Sequence, residues 1–312
     1  MTPLWRVEML GTFRAEMDSL SIGRFRTRRV GLLLAYLAFY PKRMHHRDEI
    51  AEMLWPDQDP DISRRNLRQA LSSLRHHLEP PGLPTGSILV VKQSNLQLSA
   101  NLVSTDVAEF EQLLAKASTE NPESVRRENL EKAIDLYKGE LLPGFYEDWV
   151  QTERLRLADA HFYALRTLAE LNGKAGREED AIRYLRLAIA KEPLEEDLHL
   201  DLMRQYLKTG RPSSALRQFR ELEQALDVQL GIKPNDMARK LAERARQEGG
   251  SETSEEERPP SGRDAKPSEP VRKVKTGRKD SSSSSRLPVQ LTRFFGRTFE
   301  LERSLAFFGE RN

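Results

Sequence analysis

Residues 63–78 read SRRNLRQALSSLRHHL, and this stretch decides the fold of the first part of the chain. Four leucines in it recur at the spacing of one buried helix face, namely Leu67, Leu71, Leu74 and Leu78. The stretch therefore predicts an amphipathic helix, which the following Pro80-Pro81-Gly82 ends.

Two further helices are predicted before this one. Residues 27–39 carry an apolar stripe that stops before Pro41, and residues 48–55 form a second, short helix that Trp55 closes from the core side. The chain thus presents three helices in succession.

Strands are predicted on both sides of the three helices. Residues 4–22 alternate with period two and are punctuated by glycine, which predicts a small antiparallel sheet. Residues 88–92 and 95–98 flank Gln93-Ser94 as a β-hairpin. This order of elements is that of a winged helix-turn-helix, so residues 1–100 are predicted to form such an α+β domain.

The outward face of the third helix is polar once its leucine stripe is placed in the core. Arginine reads guanine bidentately in the major groove and glutamine reads adenine, so this face can contact DNA bases. A solvated helix face is the alternative, and the order of elements favours DNA contact. The predicted base-reading residues are Arg64, Arg65, Arg68, Gln69, Ser72, Ser73 and His76.

Basic residues around this face are predicted to neutralise DNA phosphates. Any one of them can instead serve solubility alone. They lie on the first helix, before the second helix, on the third helix and at the hairpin, and they are Arg28, Arg29, Lys42, Arg43, Arg75 and Lys92.

An acidic loop bracketed by prolines is predicted between the second and third helices, over residues 55–61. It serves either as a helix-capping connection or as a contact for a basic surface of RNA polymerase. The residues in question are Asp57, Asp59 and Asp61.

Charge is distributed unevenly along the chain. Residues 1–100 contain 14 Lys and Arg against 10 Asp and Glu, whereas residues 101–247 contain 23 against 27. A basic N-terminal part followed by an acidic part is typical of a polyanion-binding module joined to a protein-interaction module.

The sequence offers no basis for an enzyme or a metal protein. It contains no cysteine, which excludes disulfides and thiolate sites, and it contains no phosphate-binding loop or nucleophile elbow. Its adjacent histidines lack the i, i+4 spacing of metal ligands. It also lacks a long apolar run and a signal peptide, so we expect a cytoplasmic protein without cofactor or membrane contact.

The second half, residues 101–247, is predicted to be all helical and tetratricopeptide-like. Shifting this region by 34 residues pairs Gly176 with Gly210 and Ala181 with Ala215, which is the tetratricopeptide period. The predicted helices cover residues 106–117, 125–138, 148–171, 178–191, 194–207, 212–226 and 234–247.

The last 65 residues differ from the rest. Residues 248–286 contain Pro259-Pro260, a serine run and blocks of like charge, and they are predicted to be a disordered linker. Residues 287–312 regain apolar side chains, which is typical of the start of a further folded module.

Over about residues 4–247 the chain resembles the bacterial transcriptional activator domain proteins of the Streptomyces antibiotic regulatory protein type. The stretches that carry the resemblance are RVEMLG at residues 6–11, 28–37 in the first helix, RDEIAEMLW at 47–55, LSSLR at 71–75, DVAEF at 106–110, YKGELL at 137–142, KAGR at 174–177 and LGIKP at 230–234.

The resemblance implies an OmpR-type winged helix that binds repeated operator half-sites as a homodimer, and a helical domain that supports dimerisation and polymerase contact. It also implies that residues 287–312 are the truncated start of a nucleotide-binding ATPase-like module, with no ATP bound by this chain. Phosphorylation of an aspartate in this chain is not expected.

The function predicted from the sequence is therefore a sequence-specific DNA-binding regulator, and in particular an activator that contacts double-stranded DNA and RNA polymerase. Two alternatives stay open: a scaffold protein with tetratricopeptide-type repeats, and a fragment of an ATP-dependent signalling regulator.

Overall fold

A computed structural model describes residues 5–118 and 122–252 of the 312-residue chain. These residues are mainly helical, with small sheets in the N-terminal part, which confirms the predicted mainly α class. The predicted ATPase-like segment and residues 253–286 of the predicted linker lie outside the described residues. Residues 248–252, which the sequence assigned to the linker, instead continue the last helix.

The N-terminal sheet contains the three predicted strands and one that the sequence did not predict. Strands β1 (Trp5–Glu8), β2 (Arg14–Met17) and β3 (Leu20–Ile22) pair in antiparallel order. Strand β7 (Val103–Thr105) pairs in parallel with the other edge of β1. Three residues are too few to show an alternation, which is why β7 was missed. The predicted domain boundary at residue 100 lies before β7, although β7 belongs to the N-terminal sheet.

The three predicted N-terminal helices are present. Helix α1 (Arg28–Phe39) is capped by Thr27, whose hydroxyl oxygen accepts the Val30 N–H, and α2 (Arg47–Leu54) follows. Helix α3 (Pro60–Leu78) begins three residues earlier than predicted. Proline is tolerated in the first turn, and the Asp59 carboxylate accepts the Asp61 N–H at 2.9 Å. The four stripe leucines of α3 are buried, as predicted.

The predicted hairpin is also present, as strands β5 (Leu89–Lys92) and β6 (Asn95–Leu98). The two-residue strand β4 (His45–His46), which was not predicted, pairs with β6. Buried Glu79 follows α3, and its carboxylate accepts three backbone N–H groups at 2.8–3.0 Å, from Gly86, Ile88 and Leu89. This carboxylate therefore fixes the start of the hairpin against the end of α3.

The rest of the described chain is helical, within a few residues of the predicted bounds. The helices are α4 (Asp106–Ser118), α5 (Glu123–Leu136), α6 (Asp148–Lys174), α7 (Glu178–Lys191), α8 (Glu196–Lys208), α9 (Pro212–Leu230) and α10 (Asp236–Glu252).

The 34-residue spacing recurs in the turns of this helical region. The Arg177 N–H donates to Asn172 O at 2.9 Å, and 34 residues later the Arg211 N–H donates to Tyr206 O at 2.8 Å. Gly176 and Gly210 both adopt a positive φ, of 70° and 67°. The matched glycines therefore occupy equivalent turns, while the tetratricopeptide assignment stays a prediction.

Two apolar cores hold the described residues up to Arg246 in one compact unit. The first core joins the sheets and α1–α3 to α4, α5 and the first half of α6, and it includes Trp5, Phe110 and Leu157. The second core joins the later half of α6 to α7–α10. The N-terminal elements thus share a core with the start of the helical region.

A buried carboxylate fastens α4 to the N-terminal sheet. Asp106, the first residue of α4, accepts the Met9 N–H at 2.8 Å and the Leu10 N–H at 2.8 Å, and it also accepts the Val107 N–H. Burial raises the pKa of this carboxyl, against the lowering effect of those three backbone donors. The end of β1 is therefore held by a side chain 97 residues away.

The segment between α5 and α6 docks on the same end of β1. The Gly11 N–H donates to Glu140 O at 2.9 Å, and the Leu142 N–H donates to Met9 O at 2.8 Å. A Cβ atom on Gly139 would lie 2.8 Å from the Gly11 Cα, so this approach requires glycine. Arg154 donates to the carbonyls of Leu141, Leu142 and Phe145 and so holds the segment from the other side.

Among the described residues, no helix combines the length and the apolar content that crossing a membrane requires.

Replacement of Asp106 by alanine is expected to lower the free energy of unfolding by about 3 kcal/mol, because the Met9 and Leu10 N–H groups lose their acceptor inside the protein. Urea denaturation followed by tryptophan fluorescence measures this, since all three tryptophans contact the first core. Asp57→Ala, at an exposed carboxylate, is the control. Equal midpoints for the two variants would contradict the role of Asp106.

Acidification is expected to destabilise the protein through His161. Burial lowers the pKa of this imidazole from 6.5 to about 4, so its stabilising contribution is complete above pH 6.5 and is lost as the pH falls toward 4. Between pH 7 and pH 5, the unfolding free energy should fall by about 2 kcal/mol more in the wild type than in His161→Gln. His76→Gln, at an exposed histidine, should follow the wild type. Parallel pH curves for wild type and His161→Gln would show that burial does not hold His161 neutral.

Candidate nucleic-acid interface

The outward face of α3 carries polar side chains that are free of the rest of the protein. Arg65, Gln69, Ser72 and His76 are all exposed, at spacings that keep them on one side of the helix. Within the described ranges, Arg65, Gln69 and Ser72 make no hydrogen bond or ion pair through their side chains, and the His76 ring contacts only that of His77. Four of the seven predicted base-reading residues therefore point together into solvent.

On the flank of this face, unlike at its centre, one side chain has partners within the protein: Arg64 forms ion pairs with two aspartates. Arg64 donates from Nε to Asp48 Oδ1 at 2.8 Å and from Nη1 to Asp61 Oδ1 at 3.1 Å, so its guanidinium is turned toward the start of α2. The hydrogen bond from Arg64 lowers the pKa of the Asp48 carboxyl. Arg68 is exposed and Ser73 is half-buried. The sequence placed Arg64 on the flank of this face and assigned it to base reading together with Arg65, but it did not predict that Asp48 and Asp61 engage the Arg64 guanidinium.

A cleft of about 250 Å³ lies between the start of α2, α3 and the hairpin turn. Three arginines and one carboxylate carry its charge. It is lined by His46, Arg47, Asp48, Arg64, Leu67, Arg68 and Ser94. The Arg47 N–H donates to Ser94 O at 2.8 Å and joins the hairpin turn to α2.

Five of the seven residues that line this cleft were not among the predicted site residues, namely His46, Arg47, Asp48, Leu67 and Ser94. Arg47 was available as a basic residue at the start of the predicted second helix. Its proximity to Ser94 follows from the pairing of β4 with β6, which the sequence pattern did not reveal.

Three of the six predicted phosphate-contacting residues have no side-chain partner in the described residues, and a fourth, Arg43, is paired with the exposed Glu49. Lys42 and Lys92 are exposed, Arg29 is half-exposed, and exposed Arg43 lies 3.5 Å from Glu49.

The other two predicted phosphate contacts have partners inside the protein. Arg28 lies 3.0 Å from Glu147 and stacks over the ring of Phe145, both in the segment before α6. Arg75 lies 3.5 Å from buried Glu79, the residue that holds the hairpin. These contacts give Arg28 and Arg75 a part in docking and in hairpin placement that the sequence did not indicate.

The predicted acidic loop is shorter than expected, because Pro60 and Asp61 belong to α3. Asp59 caps that helix, and Asp61 pairs with Arg64. Asp57 is exposed and has no partner in the described part of the chain. Of the three residues predicted to contact RNA polymerase, Asp57 alone has no side-chain partner within the described part of the chain.

Residues 5–118 and 122–252 contain no group of three or more His, Cys, Asp or Glu side chains that could hold a metal ion.

Comparison with known families matches residues 105–246 to the bacterial transcriptional activator domain. The matched range begins in β7, whose pairing with β1 ties it to the N-terminal sheet.

The chain is also similar to named regulatory proteins. It is 28% identical over 245 residues to the regulatory protein AfsR of Streptomyces coelicolor, a match that covers 77% of this chain and 24% of AfsR. It is 23% identical over 239 residues to the regulatory protein DnrI of Streptomyces peucetius, covering 74% of this chain and 88% of DnrI. The chain therefore spans about a quarter of the length of AfsR and most of the length of DnrI.

Among solved structures, the chain is similar to Mycobacterium tuberculosis EmbR in complex with a low affinity phosphopeptide. The TM-score is 0.62 at 22% identity, and the match covers 81% of this chain and 69% of EmbR. This similarity shows a shared fold.

Proposed function

Because residues 105–246 match the bacterial transcriptional activator domain and the chain is similar to named regulatory proteins, we propose that it is a transcriptional regulator that binds specific DNA sequences through the exposed face of α3 and activates transcription. The observation that carries the proposal is the set of free side chains on that face, Arg65, Gln69, Ser72 and His76.

In this proposal, α1–α3 and the β5–β6 hairpin form a winged helix-turn-helix. Helix α3 enters the major groove, where Arg65 reads guanine and Gln69 reads adenine. Arg68, Ser72, Ser73 and His76 complete the contact surface. Because α3 is anchored through its buried leucines, it enters the groove without rearranging the core.

Phosphate contacts by basic residues outside α3 would set the orientation of this helix on DNA. Lys42 and Arg43 precede α2, and Lys92 lies beside the hairpin turn. Arg29 extends the set. Such contacts position a protein on DNA without reading the sequence.

The helical region would serve dimerisation on repeated half-sites and contact with the transcription machinery. Its 34-residue turns support a tetratricopeptide-like surface for a protein partner. The protein would act in the cytoplasm, without an enzymatic activity or cofactor of its own.

Arg65→Ala is expected to weaken binding to a DNA sequence selected from a random library by about 5- to 150-fold, because a bidentate guanine contact contributes about 1–3 kcal/mol. Base preference should relax at one position, as fluorescence anisotropy with single-base variants of the selected DNA would measure. Arg217→Ala is the matched control, since Arg217 is an exposed arginine on α9 without a partner in the described residues.

Lys92→Ala separates the two classes of contact. It should weaken binding to selected and unrelated DNA by the same factor and reduce the slope of log K against log salt by about 0.9. If Arg65→Ala behaves in this way instead, Arg65 contacts a phosphate, and if it has no effect on binding, α3 does not read DNA through this face.

RNA polymerase contact is proposed for the acidic residues at the start of α3, with Asp57 as the residue to test. Asp59 and Asp61 also act within the fold, as a helix cap and as an ion-pair partner, so their replacement alters the protein locally. Asp57 carries the same charge without such a contact.

Asp57→Lys is expected to abolish most of the activation in a reconstituted transcription assay while leaving DNA affinity within about twofold, because the variant would repel a basic polymerase surface. Glu52→Lys, at an exposed acid on α2, is the control for charge reversal. Full activation by Asp57→Lys at unchanged DNA occupancy would exclude this contact.

A further inference from the structure

The partners of Arg64 set it apart from the other arginines of α3. Both of its carboxylate partners are exposed, with side-chain exposures of 52% for Asp48 and 89% for Asp61. Exposed ion pairs contribute little to folding, because water screens the charges. Arg64 can therefore exchange these partners for another anion at little cost to the fold.

The surroundings of Arg64 indicate which anion fits. The cleft that it lines is also lined by Arg47 and Arg68, so three arginines surround a volume of about 250 Å³. Guanidinium groups bind phosphate through paired, charge-assisted hydrogen bonds. Ligand pockets for drug-sized molecules measure about 300–1,000 Å³, so this open cleft is better matched to one phosphate group.

Asp48 lies in the same cleft and opposes such binding in two ways. It holds the Nε of Arg64 at 2.8 Å, and its own negative charge faces any phosphate that enters. An aspartate is ionised at neutral pH, and the hydrogen bond from Arg64 lowers the pKa of Asp48 below its usual value.

We propose that this cleft receives a backbone phosphate of bound DNA, and that Asp48 acts as an internal competitor that lowers the affinity of the chain for all DNA. The inference rests on the DNA binding proposed above. It reassigns Arg64 from base reading to phosphate binding and leaves base reading to Arg65 and Gln69, which face solvent.

The competition has a consequence for the search along DNA. Phosphate contacts supply nearly all of the affinity for unrelated sequences. Asp48 keeps one arginine from making such contacts. It therefore shortens the time for which the chain stays bound to DNA, by the same factor on every DNA sequence. Asp48 therefore tunes overall affinity and salt dependence, and leaves base preference unchanged.

The test compares DNA affinities of charge-neutralising variants by fluorescence anisotropy, on the selected sequence and on unrelated DNA. Asp48→Asn should bind both DNAs about 3- to 10-fold more tightly, with a salt slope steeper by about 0.9, since one more phosphate is neutralised. Asp57→Asn is the matched control, because it removes the same charge from a neighbouring exposed position without releasing an arginine, and it should change affinity less than twofold.

A double-mutant cycle identifies Arg64 as the residue that Asp48 acts through. On an Arg64→Ala background, Asp48→Asn should have no more effect than Asp57→Asn. Arg64→Ala alone should weaken binding to both DNAs equally and leave base preference intact. Urea midpoints within error of the wild type confirm that these exposed substitutions leave the fold in place.

Weaker or unchanged binding by Asp48→Asn would overturn the inference, as would a gain in affinity that persists without Arg64. A loss of base preference in Arg64→Ala would return that residue to base reading and overturn the reassignment. These outcomes leave the proposed function standing, whereas an absence of DNA binding by the wild type and all variants at low salt would overturn both.

Discussion

The rest of the structure depends on the way that Asp106 holds the end of β1. Its carboxylate accepts the Met9 and Leu10 N–H groups, while the adjacent strand β7 pairs with β1. A buried carboxylate of this kind is stable only where donors surround it, so α4 must begin at this point against the sheet. The Gly11–Gly139 approach and Arg154 add a second attachment at the same end. The N-terminal elements and the start of the helical region are consequently built around one core.

This arrangement gives α3 a fixed position with one free face. The buried leucines and Glu79 hold α3 and the hairpin together, so Arg65, Gln69 and Ser72 project from a rigid support. Because the backbone of α3 is already ordered, only these side chains lose conformational entropy on binding, which favours specific contact. The flank of α3 has a different character, because Arg64 is already engaged by Asp48 and Asp61. One helix thus carries the surface that we propose reads bases, beside the cleft that we propose binds a phosphate.

The sequence predicted the elements whose evidence is local. The leucine stripe predicted α3, the repeated glycines predicted equivalent helical turns, and the two short segments that flank Gln93-Ser94 predicted the hairpin. The sequence did not predict β4 and β7, because both strands are too short to show a pattern. It placed the start of α3 at residue 63, because Pro60 was assigned to the preceding loop and not to the first turn of the helix. It also did not predict the partners of Arg28 and Arg75, since Arg28 contacts Glu147 across 119 residues of chain and the place of Arg75 follows from the buried carboxylate of Glu79. Contacts of that kind form only when the core is assembled, so they produce no periodic pattern in the sequence.

The proposed function requires that α3 presents its outward face to DNA bases. This is tested by photo-crosslinking of the chain to a selected DNA in which single thymines are replaced by 5-iodouracil, with the crosslinked peptides identified by mass spectrometry. We expect crosslinks at residues 65–76, with hairpin residues 92–94 joining at the edge of the site. Crosslinks confined to α7–α9, with none on α3, would contradict it.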